Sequence, residues 1–165
     1  MKNRKRGFSL VELLIVLAVI AALIATITPV ALNAIRKAKA TQVAQNLKTL
    51  ASALENAAYV NGTKDGEINK AGSGTFTQKA DIKLLARDVD DSKYGIAYKV
   101  YTDSTNAGKV EVYVVTDEDV SADEVQKVLE TATKTSISLP AGSKEIGTVF
   151  TSGSVLQYTF TFNVY

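Results

Sequence analysis

Cysteine, histidine and tryptophan are all absent from the 165 residues of this chain. Without cysteine, no disulfide holds the fold together and no thiolate can act as a nucleophile. Without histidine, imidazole bases, serine–histidine pairs and the common zinc sites are excluded. We therefore expect no catalytic residues, no metal and no cofactor.

A net positive charge is confined to the start of the chain. Lys2, Arg4, Lys5 and Arg6 supply four positive charges, whereas the formal net charge of the whole chain is only +2, so the chain from Phe8 onward has a net charge of −2. That remainder lacks the basic field of a nucleic-acid-binding protein, and no nucleic-acid partner is expected. The positive-inside rule predicts a cytoplasmic leader and an extracytoplasmic remainder.

A long apolar run follows this leader. The 23 residues from Leu13 to Ile35 are uncharged, which is long enough to cross a bilayer as a helix. The length of the run, the carboxylate of Glu12 at its start and the absence of a clean cleavage site after it argue against an ordinary secretory signal. A plain membrane anchor explains the run but not Glu12, because an ionised group there is costly without a partner.

The sequence RGFSLVELLIV at residues 6–16 resembles the processing motif of type IV prepilins and pseudopilins. The resemblance implies that a prepilin peptidase cuts between Gly7 and Phe8 and methylates the new N-terminus at Phe8. It also implies self-association into a helical filament, with the help of an assembly machinery in the inner membrane. In this family a proline that bends the helix is usual, and Pro29 lies at the corresponding position.

The predicted cut creates an ammonium group at Phe8 and gives Glu12 a partner. An α-amino group ordinarily has a pKa of about 8 and is largely cationic at neutral pH. A charge pair about 4 Å apart is worth roughly 4 kcal/mol at an effective dielectric constant of 20, and desolvation offsets much of that. We expect the pair to fix the register between neighbouring chains. A carboxylate that merely reaches the lipid headgroups is the alternative.

Small residues line the apolar helix. Ala18, Ala22 and Ala25 share one face at spacings of four and three residues, and such faces let helices approach closely. Alanine is also simply a good helix former. Pro29 removes one backbone donor and is expected to kink or locally melt the helix.

The expected fold class is α+β and pilin-like, with a long N-terminal helix packed on an antiparallel sheet. Beyond the span, Val43, Leu47, Leu50 and Leu54 follow a helical period and predict an amphipathic half that ends near Asn61-Gly62. The predicted segments are a cleaved leader at 1–7, a transmembrane and filament-core helix at 8–35, an amphipathic helix at 36–60 and an extracytoplasmic domain at 61–165.

Several shorter elements are predicted within that domain. Residues 61–79 are expected to form an exposed connection with little core. Alternation of apolar and polar residues is clearest in the last strand, whose apolar face should meet the amphipathic helix. The remaining predictions are a short helix at 80–89, a hairpin of Tyr94–Thr102 with Lys109–Thr116, a helix capped by Ser121 and Glu124 that ends near Thr133, and a second hairpin of Glu145–Thr151 with Val155–Tyr165.

Two acidic clusters remain, one at Asp88, Asp90 and Asp91 and the other at Asp117, Glu118 and Asp119. Neither has the spacing of an EF-hand loop, and solvated turns explain them better than a cation site.

We interpret the chain as a structural subunit of a type IV pilus-like filament and not as an enzyme. It would wait as a single-pass protein in the cytoplasmic membrane and then enter a cell-surface or periplasmic filament. A pseudopilin of a type II secretion or DNA-uptake system has the same N-terminus and stays open. A monomeric, membrane-anchored binding domain is the alternative from another class.

Overall fold

The computed structural model of the protein describes residues 7–150 and 153–164. A single long helix, α1, spans Leu10–Asn61. The chain divides into two compact units, of which the first ends at Ala38 and the second begins at Lys39. In the first unit, α1 is apolar on all sides, and every described side chain there is exposed.

In the second unit, α1 buries one face. Val43, Leu47, Leu50 and Leu54 are almost fully buried, at spacings of four and three residues, as the period predicts. The helix ends at Asn61 because Gly62 adopts a φ of +72°, and the Gly62 N–H donates to the Ala58 carbonyl at 2.9 Å. The predicted stop at Asn61-Gly62 is confirmed.

The remaining elements are short helices and seven strands. The helices are a 3₁₀ turn at Lys79–Asp81, α2 (Ile82–Leu85) and α3 (Ala122–Gln126). The strands are β1 (Thr63–Lys64), β2 (Glu67–Ile68), β3 (Tyr94–Val100), β4 (Lys109–Thr116), β5 (Ala132–Thr135), β6 (Lys144–Gly147) and β7 (Val155–Asn163).

Five strands form one antiparallel sheet in the order β5-β7-β4-β3-β6, and β1 and β2 form a separate hairpin. Val112 of β4 lies between Tyr98 of β3 and Phe160 of β7. The inward face of this sheet and the buried face of α1 belong to one hydrophobic core. At the edge of this core, the exposed Tyr59 of α1 lies 5.5 Å from Phe162 of β7 between ring centroids. The predicted α+β fold and the predicted contact of the last strand with the helix are confirmed.

The segment between α1 and α2 contributes more to the core than the sequence predicts. Ile68 and Phe76 are buried, so residues 61–79 are not only an exposed connection. The Tyr98 hydroxyl joins these two residues, because it accepts from the Ile68 N–H at 3.1 Å and donates to the Phe76 carbonyl at 2.7 Å. Burial raises the pKa of Tyr98 to about 12.

Three local predictions need correction, and non-local pairing explains one of them. The helix predicted to reach Thr133 ends at Gln126, because Ala132 and Thr133 pair with β7 as part of β5. At its start, Ser121 makes no side-chain cap. The helix predicted at 80–89 is shortened to a 3₁₀ turn and α2.

The second predicted hairpin does not form, since β6 pairs with β3 and β7 pairs with β4 and β5. Its predicted ends at Thr151 and Tyr165 lie outside the described residues. The β6 side of the sheet depends on Gly95, where a Cβ would collide with the backbone of Thr148. Gly95 and Thr148 are far apart in the sequence, so no local sequence pattern predicts their contact.

Candidate functional site

The residues of the predicted cut lie just before α1. Gly7, Phe8 and Ser9 have no helical structure, and α1 begins at Leu10. No atom lies within 4 Å of a Cβ placed on Gly7, and the Phe8 side chain is 81% exposed. The peptide bond between Gly7 and Phe8 therefore lies outside the helix, so a peptidase would not need to unwind the helix to reach it.

A reciprocal cap sets the start of the helix. The Ser9 N–H donates to Glu12 Oε2 at 2.8 Å, and the Val11 N–H donates to Ser9 Oγ at 3.3 Å. The first backbone bond of the helix runs from the Leu13 N–H to the Ser9 carbonyl at 3.2 Å. Ser9 and Glu12 thus form a capping box, which satisfies two amide groups that the helix itself leaves unpaired.

The role of Ser9 is missing from the residues predicted from sequence. The S-x-x-E spacing of Ser9 and Glu12 indicates this helix cap, although the same spacing wrongly predicted a side-chain cap at Ser121. The structure also gives Glu12 a partner within its own chain. Its second carboxylate oxygen, Oε1, accepts no hydrogen bond from the described residues, so it is free to accept one from an ammonium group.

The helix after Glu12 presents apolar side chains in all directions. It is the one helix in residues 7–150 and 153–164 long and apolar enough to cross a membrane, with a mean hydropathy of 2.9 over its most apolar window. None of that window is buried within the chain. Ala18, Ala22 and Ala25 are exposed on it, and their packing role stays a prediction.

The helix continues through Pro29. Before the proline, the hydroxyl groups of Thr26 and Thr28 donate to main-chain carbonyls, Thr26 to Leu23 at 2.9 Å and Thr28 to Ile24 at 2.8 Å. Such bonds commonly bend a helix, but neither reaches the Ala25 carbonyl, whose helical partner the missing N–H of Pro29 removes. The kink at Pro29 stays a prediction.

The fold separates the residues of the two acidic clusters and brings residues from both clusters to one recess. Asp91 lies 3.8 Å from Lys83, and Asp117 lies 3.5 Å from Lys93. Asp88, Asp90 and Glu118 instead line a recess of about 160 Å³ in the second unit. No group of acidic residues with the arrangement of a metal site occurs among the described residues.

The start of the chain also matches a known family model. Residues 2–28 match the model of the prokaryotic N-terminal methylation motif. No curated protein and no solved structure matches the chain significantly.

The match covers the leader, Gly7, Phe8, the capping box and most of the apolar span. It is the leader signature of type IV pilins and pseudopilins. Together with the exposed apolar helix, it fits a membrane-anchored precursor of the pilin-like class.

Proposed function

We propose that this protein is the structural subunit of a type IV pilus-like filament. A prepilin peptidase removes Met1–Gly7 and methylates Phe8, and an assembly machinery in the cytoplasmic membrane lifts the apolar helix out of the lipid. The observation that supports this most is the methylation motif, which extends into an apolar helix whose most apolar part is not buried by any described residue.

The burial of apolar surface drives assembly. Transfer of an apolar side chain from water is worth about 25 cal/mol for each Å² buried, so the span is stable only in lipid or against other apolar helices. Packing against copies of the same helix replaces the lipid contacts. The small faces of Ala18, Ala22 and Ala25 allow the helices to approach closely. Head-to-tail contacts of this kind do not close and therefore propagate as a fibre.

In this proposal, the charge of Glu12 fixes the axial register between neighbouring copies of the helix. Its Oε2 stays on the Ser9 amide, while Oε1 accepts the ammonium group of Phe8 from the next copy. A copy in any other register leaves a lone charge in a dry bundle, which costs several kcal/mol. The charge pair therefore selects one displacement between neighbours more than it adds to the affinity.

The second unit is the part that the filament displays. It has its own core, and it acts as a building block with no catalytic role. The fibre lies at the cell surface or in the periplasm, and the basic leader stays in the cytoplasm until the cut.

One experiment tests the proposal as a whole. The full chain is produced together with a prepilin peptidase and its assembly system, and the membrane and sheared surface fractions are compared by mass spectrometry and electron microscopy. We expect a chain that starts at N-methylated Phe8, in fibres that contain it. An intact leader on the membrane-bound chain would favour the membrane-anchored binding domain and remove the proposal. Short fibres confined to the periplasm would assign the chain to a pseudopilus.

A further inference from the structure

The recess in the second unit lies between α1 and two loops that are far apart in sequence. Its walls are the start of the buried half of α1, the loop before β3 and the loop after β4. The lining residues are Lys39, Gln42, Val43, Asn46, Asp88, Asp90, Tyr94 and Glu118. We infer that this recess is a docking site for Arg36 of a second copy of the chain, an inference that rests on the proposed filament.

One acidic group of the recess has no partner among residues 7–150 and 153–164. Asp90 accepts hydrogen bonds from the Ser92 N–H and hydroxyl, at 2.9 and 2.7 Å, and Glu118 lies 3.6 Å from the Lys39 ammonium. Asp88 is exposed and makes no hydrogen bond or ion pair with any described residue. With three carboxylates and one lysine, the recess is net negative.

Besides these charged groups, the recess is lined by the hydroxyl of Tyr94 and by two side-chain amides. Tyr94 is 3% exposed, and its hydroxyl accepts a hydrogen bond from the Asn46 amide at 3.2 Å. Gln42 adds a second amide. A guanidinium group has five N–H donors in one plane and no acceptor. Carboxylate, amide and hydroxyl oxygens on several sides suit such a group better than an apolar or an anionic one.

The same chain supplies an unpaired guanidinium. Arg36 is exposed on α1 and makes no hydrogen bond or ion pair with any described residue. It follows the 23-residue uncharged run directly, so every copy in a bundle of these helices presents it just beyond the apolar span. Asp88 and Arg36 are thus complementary groups, and neither has a partner in the part of its own chain that the structure describes.

The register of the bundle brings these two groups to the same height. If the Phe8 ammonium of one copy meets Glu12 of its neighbour, the two copies are displaced by four residues, or about 6 Å along the helix. The same displacement puts Arg36 of that copy level with Ala40 of the neighbour. Ala40 follows Lys39 and precedes Gln42 and Val43, which line the recess. One displacement therefore satisfies both contacts.

Chemical crosslinking tests this contact, because the chain contains no cysteine of its own. The full chain with Arg36→Cys and Asp88→Cys is assembled into fibres and treated with a short bismaleimide. We expect a ladder of crosslinked multimers. The matched control combines Arg36→Cys with Thr105→Cys, an exposed position in the turn at the other end of the β3–β4 hairpin from Tyr94. It should give no ladder.

Charge reversal adds a second readout. Asp88→Arg should lower the fibre yield several-fold, and Asp88→Arg with Arg36→Asp should restore at least half of it. Membrane insertion and the near-ultraviolet circular dichroism of the tyrosines should be unchanged in both. A chelator should leave fibres of the unmodified chain intact; a loss as large as that of Asp88→Arg would assign the recess to a cation and overturn the inference.

The outcomes separate the two proposals. Fibres that form normally but give no ladder, or the same ladder as the control, overturn the docking of Arg36 and leave the filament standing. A correctly processed chain that yields no fibres removes both.

Discussion

The two units of this protein use the same apolar residue types in opposite ways. Before Lys39, leucine, isoleucine and valine cover the helix on all sides and are exposed, as in Leu17 with 61% of its surface free. After Lys39, leucines recur on one face only, and Leu47, Leu50 and Leu54 are 0% exposed. The second unit thus completes its core within one chain, whereas the first needs lipid or other copies.

Folding and helix packing are therefore expected to depend on different residues. The core that stabilises the second unit lies beyond Lys39, whereas the proposed packing of the apolar span depends on residues outside that core. Substitutions in the core and in the apolar span should therefore affect folding and assembly separately, and each prediction below is a way to break or sharpen that separation.

The largest expected effect is on assembly alone. Glu12→Gln keeps an acceptor for the Ser9 N–H, and Gln is as suitable as Glu in a capping box. It removes the charge that the Phe8 ammonium would meet. We expect fibre yield to fall at least about tenfold, the equivalent of about 1.4 kcal/mol, while insertion and the unfolding of the second unit stay unchanged. Quantitative blotting of sheared fibres measures the yield.

Two further variants distinguish the loss of the Glu12 charge from other causes of a lower fibre yield. Glu55→Gln removes a carboxylate from the second-unit part of α1 and should leave the yield normal. Glu12→Ala removes the cap as well as the charge. Should Glu12→Ala abolish fibres while Glu12→Gln forms them normally, the cap and not the charge would be what assembly needs.

The second largest expected effect is on the folding of the second unit alone. Leu50→Ala opens a cavity in a fully buried site and should lower the free energy of unfolding of the second unit by about 2–5 kcal/mol. Leu17→Ala makes the same change at an exposed site in the span and should alter that free energy by less than about 0.5 kcal/mol. Denaturant unfolding of the full chain in detergent, followed by tyrosine circular dichroism, measures both. Equal losses would show that the two units are not energetically separate.

The smallest effect is a dependence on pH within the second unit. The Lys144 ammonium, with help from the Thr75 hydroxyl, lowers the pKa of Glu67. A carboxylate with a lowered folded-state pKa adds stability that is complete above its unfolded pKa, near 4.5 for Glu67, and is lost as the pH falls through the folded value. Lys144→Gln should reduce stability at pH 7 by at most about 1 kcal/mol and flatten its decline below about pH 4.5.

The control for this prediction is Lys134→Gln, because Lys134 is exposed and makes no ion pair with a described residue. Unfolding midpoints at about pH 7 and about pH 3.5, on either side of the unfolded pKa, measure the effect. If both lysine variants change the slope equally, general charge and not the contact with Glu67 is responsible.

Much of the fold was readable from the sequence where a local pattern specifies the structure. The end of α1 at Gly62, the hairpin of β3 and β4 and the alternation of β7 each follow from neighbouring residues. The pairing of β6 with β3 and of β5 with β7 depends on residues dozens of positions apart. A helical period up to Thr133 was therefore outweighed by the pairing of Ala132 and Thr133 with β7.

The residues at the chain start are close together in sequence, so a single motif indicates them, and residues 2–28 match the methylation-motif model. The roles of Gly7, Phe8 and Glu12 in cleavage and charge pairing stay predictions. Ser9 was overlooked although its spacing from Glu12 was visible. The recess was not predictable, since Asp88 and Glu118 come from loops on either side of the β3–β4 hairpin, and only the folded sheet brings them together.

The position of β7 governs when the second unit can mature. Its strand lies between β4 and β5 and is the only one of the described strands that pairs with β5, and it follows all the other described strands along the chain. A chain that stops before Val155 has β4, β3 and β6 on one side and β5 on the other, with no strand to join them. A prematurely terminated chain therefore cannot complete the sheet, and it lacks Leu156 and Phe162 of the core.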